Sequence, residues 1–239
     1  KKIIFNNHYF FRSSLDDIKK LLFGKIRKTA AGNNFFKKCN FFLEKKLNAK
    51  KCIITNSCSS ALEMAALLID ANQYDEIIMP SYTFVSTANA FVLRGAKPVF
   101  VDIRKDNLNI DERLIERAIT KKTKAIVVVH YAGIPCEMDV IKKIAKRNNL
   151  IIIEDAAQAI FSQYKNKFCG TIGDIGCFSF HETKNISSCE GGALILNKKK
   201  YFKNAIIISN KGTNREEFLN NSKKFYSWVG LGSSHIPSE

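Results

Sequence analysis

Two charged side chains and a group of hydroxyls are the residues of this 239-residue chain best placed to do chemistry. Glu154 and Asp155 follow the four-residue apolar run Leu150–Ile153. A carboxylate at the end of such a run lies at a buried sheet edge, where it needs a cationic partner to stay ionised. Lys184 sits in a loop after a second run, Cys177–Phe180. Ser57-Cys58-Ser59-Ser60 lies between a β-rich run and a helical pattern. Free backbone N–H groups and hydroxyls converge at such a junction, as a phosphate site requires. Ser179 adds a hydroxyl from the run leading to Lys184, and Phe84, which follows Glu76–Met79, offers a flat apolar face. A phosphate site, a flat aromatic, a buried aspartate and a loop lysine together match the needs of pyridoxal phosphate (PLP). The lysine condenses with the cofactor's aldehyde, and the aspartate keeps the pyridine nitrogen protonated so that the ring withdraws electrons. Each residue alone has a plainer reading: a solvated lysine, an aspartate or serine acting as a helix cap, a phenylalanine in the core. Their joint occurrence in this order is what argues for chemistry.

The elements that must position these residues alternate along the chain. Helical patterns cover Ser14–Phe23 and Phe35–Leu47. After them come β-rich runs at Cys52–Ile54, Glu76–Met79, Pro98–Val101, Ala125–Val129 and Leu150–Ile153. These interleave with helical patterns at Ser59–Ile69, Val85–Leu93, Glu112–Ile119 and Met138–Arg147, and are followed by strands at Gly176–Phe180 and Ala193–Leu196 and a helix at Lys199–Ser209. Such alternation predicts βα units and a mostly parallel sheet. The unbroken apolar runs Ala125–Val129 and Leu150–Ile153 fit strands covered on both faces. Ligands of open α/β sheets bind beyond the carboxyl ends of the strands. The segments expected there are 56–59, 81–84, 130–131, 154–155 and 181–185.

Composition narrows the class. Thirty-eight Lys and Arg against 22 Asp and Glu leave a net charge of +16, and 46% of residues are hydrophobic. That is enough to bury a core. The basic balance raises nucleic-acid binding, but no RNP-like motif and no basic helix with base-reading spacing occurs, so no nucleic-acid partner is expected. A positive field also suits small anionic substrates. No apolar run approaches the ~20 residues that span a bilayer. Lys1–Phe11 lacks the apolar segment of a secretory signal. Seven cysteines with no CxxC pair, beside four histidines without zinc-ligand spacing, suggest reduced thiols in the cytoplasm and no metal.

Longer strings sharpen the reading. Glu154-Asp155-Ala156-Ala157-Gln158, then Gly173 through Cys177-Phe178-Ser179-Phe180-His181-Glu182-Thr183-Lys184-Asn185, then Glu190-Gly191-Gly192, resemble the DegT/DnrJ/EryC1/StrS family of sugar aminotransferases. Its members are fold-type-I PLP enzymes of the aspartate aminotransferase superfamily. The stretch 79–97, His130-Tyr131-Ala132-Gly133 and Lys211-Gly212-Thr213-Asn214-Arg215 resemble the branch that makes dTDP-4-amino-4,6-dideoxygalactose for enterobacterial common antigen.

The resemblance implies an α/β large domain, a mostly parallel sheet with helices on both faces, over residues 35–239, preceded by an N-terminal arm and helix over 1–34. It implies that Lys184 carries the cofactor and shuttles the proton of the amino donor, that Asp155 pairs with the pyridinium, and that Gln158 hydrogen-bonds the phenolic oxygen. Ser57, Cys58 and Ser59 would cradle the phosphate with Ser179, and Phe84 would stack on the ring. A sister branch has His in place of Lys184 and dehydrates its substrate, so lysine here favours transamination. The implied reaction moves the amino group of L-glutamate to a dTDP-4-keto-6-deoxyhexose, in a homodimer. Family members continue into a smaller C-terminal domain. The sequence ends at Glu239 inside a segment used at the dimer interface, so a truncated chain, impaired or limited to binding PLP, is the alternative expectation.

Overall fold

The computed structural model describes residues 12–23 and 34–238. The alternating runs become strands β1 (Lys51–Thr55), β2 (Glu76–Pro80), β3 (Lys97–Val101), β4 (Thr123–Val129), β5 (Ile151–Asp155), β8 (Ile175–Ser179) and β9 (Gly192–Leu196), with a hairpin, β6 (Gln163–Tyr164) and β7 (Lys167–Phe168), between β5 and β8. The helices are α1 (Arg12–Phe23), α2 (Asn34–Leu47), α3 (Cys58–Leu68), α4 (Val85–Val92), α5 (Ile115–Ala118), α6 (Met138–Arg147), α7 (Phe202–Ser209) and α8 (Arg215–Leu219).

Seven strands form one sheet in the order β1-β9-β8-β5-β4-β2-β3. The pairs from β8 through β5, β4 and β2 to β3 are parallel, and β9 runs antiparallel to both β8 and β1. Six strands therefore point their carboxyl ends to one edge, and the reversed β9 begins there. Register fixes what meets at that edge. Asp155 lies opposite Val129 on one side and Cys177 on the other, while Gly192 lies opposite both Ser179 and Thr55. One core packs α3, α4 and α7 on one face of the sheet through Ala61, Leu62, Ala65, Phe91 and Ala205. A second core seats α6 on the other face through Met138, Ile141, Ile144 and Ala145, an i, i+3, i+4 stripe. Helices on both faces explain why β4 and β5 are apolar without alternation.

The neighbours Glu154 and Asp155 point to opposite faces, as adjacent strand residues must. Glu154 is fully buried. It accepts hydrogen bonds from the N–H groups of Gly170 (2.8 Å), Ile172 (2.7 Å) and Gly173 (2.5 Å). His130 Nδ1 accepts from the Cys136 N–H at 3.1 Å, which leaves the proton on Nε2 to donate to Glu154 at 2.9 Å. The carboxylate thus holds the loop that leads into β8. Glu154→Gln removes one acceptor oxygen and faces a donor toward donors. A loss of about 3–5 kcal/mol is expected, the range for breaking a buried charged cluster, read as a shift in the urea midpoint.

Some expectations need correction. The helix expected over Glu112–Ile119 shrinks to Ile115–Ala118. Asp111 instead receives the N–H and guanidinium of Arg113, and Glu112 pairs with Arg104 at 3.0 Å, which pins that segment as a turn. The helix expected over Lys199–Ser209 opens with a 3₁₀ turn at Lys199–Tyr201 before α7. The strand expected at Leu150–Ile153 extends through Asp155, so the aspartate ends the strand rather than following it. The β6–β7 hairpin, turned by Lys165 and Asn166 at φ 47° and 64°, and α8 were not expected. The expected arm over 1–34 falls largely outside the described residues, as does the Lys1–Phe11 segment. Helix α1 covers 12–23. Among the described residues, no helix is long and apolar enough to cross a membrane.

Candidate active site

At the carboxyl edge of the sheet lies a cleft of about 600 Å³, and all eight residues expected to serve the site line it. They arrive from four strand ends and the Phe180–Gly191 loop.

The first wall is the start of α3. Ser57 caps the helix from an extended backbone (φ −164°, ψ 165°), its Oγ accepting from the Ser60 N–H at 3.1 Å. The first intrahelical bond runs from the Ala61 N–H to the Ser57 carbonyl, so the N–H groups of Cys58 and Ser59 have no acceptor among the described residues. With the helix dipole behind them they form an anion site. Ser59 Oγ donates to Ser86 Oγ at 2.7 Å, which ties this turn to α4. The Cys58 side chain is buried, and burial pushes its thiol well above the ordinary range, so its contribution is the backbone N–H. Gly192 lets β9 approach this turn: a Cβ there would lie 2.5 Å from the Cys58 nitrogen. Ser179, the last residue of β8, lines the same cleft. It is buried, and its Oγ accepts from the His181 N–H at 3.3 Å.

Asp155 forms the floor at 5% exposure. Its Oδ1 accepts from the Ala157 N–H at 3.1 Å and its Oδ2 from the Thr87 hydroxyl at 2.7 Å. Burial pushes this carboxyl above the usual range; the Thr87 hydroxyl, the Ala157 N–H and the charge of Lys184 pull it back. Gln158 follows on the β5 exit. Its Oε1 accepts from the Ala132 N–H at 2.6 Å, which turns its amide N–H₂ away as a free donor. That N–H is presented by a tight turn with Ala132 at φ 51° and Gly133 at φ 79°, and the buried Asn109 braces the turn from the Tyr131 N–H to the Ile134 carbonyl.

Lys184 sits half-buried in a loop closed at its base by Phe180 N–H to Gly191 carbonyl (2.8 Å) and Ser188 N–H to Phe180 carbonyl (2.8 Å). Its own N–H donates to the His181 carbonyl at 2.9 Å. Phe84, at the head of α4, is 75% exposed at the cleft rim, which excludes a core role for it. The structure therefore brings the sequence-expected residues to one cleft. The segments 81–84 and 130–131, expected at this edge, bring Thr83 to Thr87 at 2.7 Å and the hydroxyls of Tyr82 and Tyr131 to 3.1 Å across the mouth, whereas sequence reasoning missed Thr87 and Asn109. Thr83 and Thr87 stand four apart at a helix start, a spacing that puts two side chains on one face.

An acidic group held among donors, an anion-binding helix start and a lysine in one cleft can bind a phosphorylated, electron-withdrawing ring and move a proton beside it. The chain is 44% identical over 189 residues to the uncharacterized protein MJ1066 of Methanocaldococcus jannaschii, covering 78% of this chain and 49% of that protein. It is 38% identical over 184 residues to GDP-perosamine synthase of Escherichia coli O157:H7, covering 77% and 50%. It thus spans about half the length of these curated relatives. Among solved structures, Spr1654 of Streptococcus pneumoniae in its PLP form superposes with a TM-score of 0.90 at 25% identity, covering 100% of this chain and 64% of that one. The fold is the α/β type I of PLP-dependent aminotransferases. Residues 29–234 match the family model outright, and the chain belongs to the DegT/DnrJ/EryC1/StrS aminotransferase family.

Proposed function

We propose that this chain is the cofactor-binding part, over residues 35–239, of a PLP-dependent aminotransferase acting on a nucleotide-activated keto sugar. The carrying observation is the convergence of Lys184, Asp155, Gln158 and the free N–H groups of α3 on one cleft. Each feature of the cofactor has a matching group. The N–H groups of Cys58 and Ser59, with the hydroxyls of Ser57, Ser59 and Ser179, suit its phosphate. Asp155 suits its ring nitrogen, the free amide of Gln158 its phenolic oxygen, Phe84 its ring face, and the amine of Lys184 its aldehyde. When bound, PLP supplies an electron sink for the carbon that loses a proton. The chain's own work is then to hold and move that proton. Lys184 Nζ would be the base that takes the proton from the α-carbon of the amino donor and the acid that gives it back. Asp155 holds a second proton on the ring nitrogen, and Gln158 and the α3 turn fix the ring's orientation.

We further propose L-glutamate as donor, a dTDP-4-keto-6-deoxyhexose as acceptor with dTDP-4-amino-4,6-dideoxygalactose as product, and a homodimer as the working form. The strings 79–97, 130–133 and 211–215 support this choice. A GDP-linked acceptor is the second reading, favoured by the 38% identity to GDP-perosamine synthase. The test is release of 2-oxoglutarate from glutamate by the PLP-loaded protein, followed by amination of dTDP- and GDP-linked 4-keto-6-deoxyhexoses side by side. Faster turnover of the GDP sugar would replace the first choice by the second; no 2-oxoglutarate would remove both. Gly192→Ala, which drives a methyl into the anion turn, is expected to weaken PLP binding at least tenfold, about 1.4 kcal/mol, by fluorescence titration.

A further inference from the structure

A carboxylate that pairs with a ring nitrogen must stay ionised, and Asp155 sits where burial disfavours the charge. The contact on its Oδ2 is the shorter of its two hydrogen bonds. Thr87 Oγ1 lies 2.7 Å away, the length of a hydroxyl donating to a charged oxygen. Thr87 is fully buried in the first turn of α4. A threonine in a helix commonly bonds back to the carbonyl four residues earlier. Here its hydroxyl instead crosses to a strand 68 residues further along the chain. A hydroxyl has one proton to give. With Thr87's proton on the carboxylate, the 2.7 Å contact between Thr83 Oγ1 and Thr87 Oγ1 has Thr83 as donor. Both protons then point the same way, from Thr83 to Thr87 to Asp155, and each bond strengthens the next. A protonated Oδ2 would force this chain to reverse or to lose a bond.

We propose that Thr87, backed by Thr83, is a positioning residue that keeps Asp155 ionised and thereby decides whether the proton shared by Asp155 and the ring nitrogen of bound PLP resides on the nitrogen. The inference rests on the reading of Asp155 under Proposed function. Thr87→Val keeps the buried shape and removes the donor. The proton's partition should move from nitrogen toward carboxylate by roughly ten- to a hundredfold, the worth of one hydrogen bond to a charged group. Thr87→Ser should restore it, and Thr83→Val should produce a smaller shift in the same direction.

The experiment is the ¹⁵N chemical shift of ring-labelled PLP bound to the chain and its variants at fixed pH, which reports protonation and not turnover. The expected result is a protonated nitrogen in the unsubstituted chain, a shift toward the unprotonated value in Thr87→Val, and its reversal in Thr87→Ser. A protonated nitrogen in all variants overturns this inference while the role of Asp155 stands. An unprotonated nitrogen in the unsubstituted chain overturns both. If Thr87→Val fails to fold, Thr83→Val carries the test one link back: a partial shift supports the chain of hydroxyls, and none overturns it.

Discussion

Lys184→Ala is expected to remove borohydride-reducible PLP from the protein while leaving the fold intact. The side chain lies half-buried in a loop whose closure is made by backbone bonds of Phe180, Gly191 and Ser188, so truncating it takes no support from the sheet. Stability should stay within about 0.5 kcal/mol of the parent, as for substitutions away from core features. On the proposed function two roles would vanish together: the amine that holds the aldehyde and the base that moves the donor's proton. The loss of 2-oxoglutarate release should therefore be complete within detection, whereas phosphate binding at the start of α3 should persist. Absorbance with and without borohydride, beside thermal unfolding, checks both halves. Unchanged reducible cofactor in the variant would assign the role to another lysine.

Asp155→Asn is expected to have the second largest effect, and a different one. The amide is nearly the same size; its single oxygen can keep the bond from the Ala157 N–H while its N–H₂ faces the Thr87 hydroxyl, which can turn to accept, so PLP should still bind in part. Lost is the negative charge that raises the proton affinity of the ring nitrogen across a partly desolvated contact. Since the electron sink depends on that proton, release of 2-oxoglutarate should fall by several orders of magnitude. If Asp155 served only as a cap to the Ala157 N–H, the substitution would instead cost about 0.5–2 kcal/mol of stability with little change in chemistry. Single-turnover kinetics with glutamate separate the two outcomes.

The parts of this architecture that were legible in the sequence are those set by local pattern. The i, i+3, i+4 stripe of α6 matches its expected bounds of Met138–Arg147, and the unbroken apolar runs of β4 and β5 gave the buried centre of the sheet. That Asp155, Ser57–Ser59 and Lys184 would line one cleft was legible because strand ends and helix starts in an open α/β sheet meet at one edge. What was not legible depends on long-range partners. Nothing local says that Glu154 and Asp155 part to opposite faces with such different work, one gathering the N–H groups of Gly170, Ile172 and Gly173, the other meeting Thr87. Asn109 acts through a turn more than twenty residues away. The segment 112–114 is different: it has helical composition, but the Arg113 N–H and guanidinium fold back on Asp111 and Glu112 pairs with Arg104, and these local bonds compete with the helix. The freedom of Gly192 is likewise set by the α3 turn packed against it, not by its neighbours in sequence.

The central claim is that this cleft holds PLP covalently on Lys184. Incubating the chain with PLP, reducing with borohydride and digesting with trypsin tests it at the level of one residue. A modified lysine resists cleavage, and the sequence has no other Lys or Arg between Lys167 and Lys198. The account predicts a single cofactor-bearing peptide running from Phe168 to Lys198 with the added mass on Lys184. The added mass on a different lysine, or spread over surface lysines with 168–198 unmodified, would contradict it.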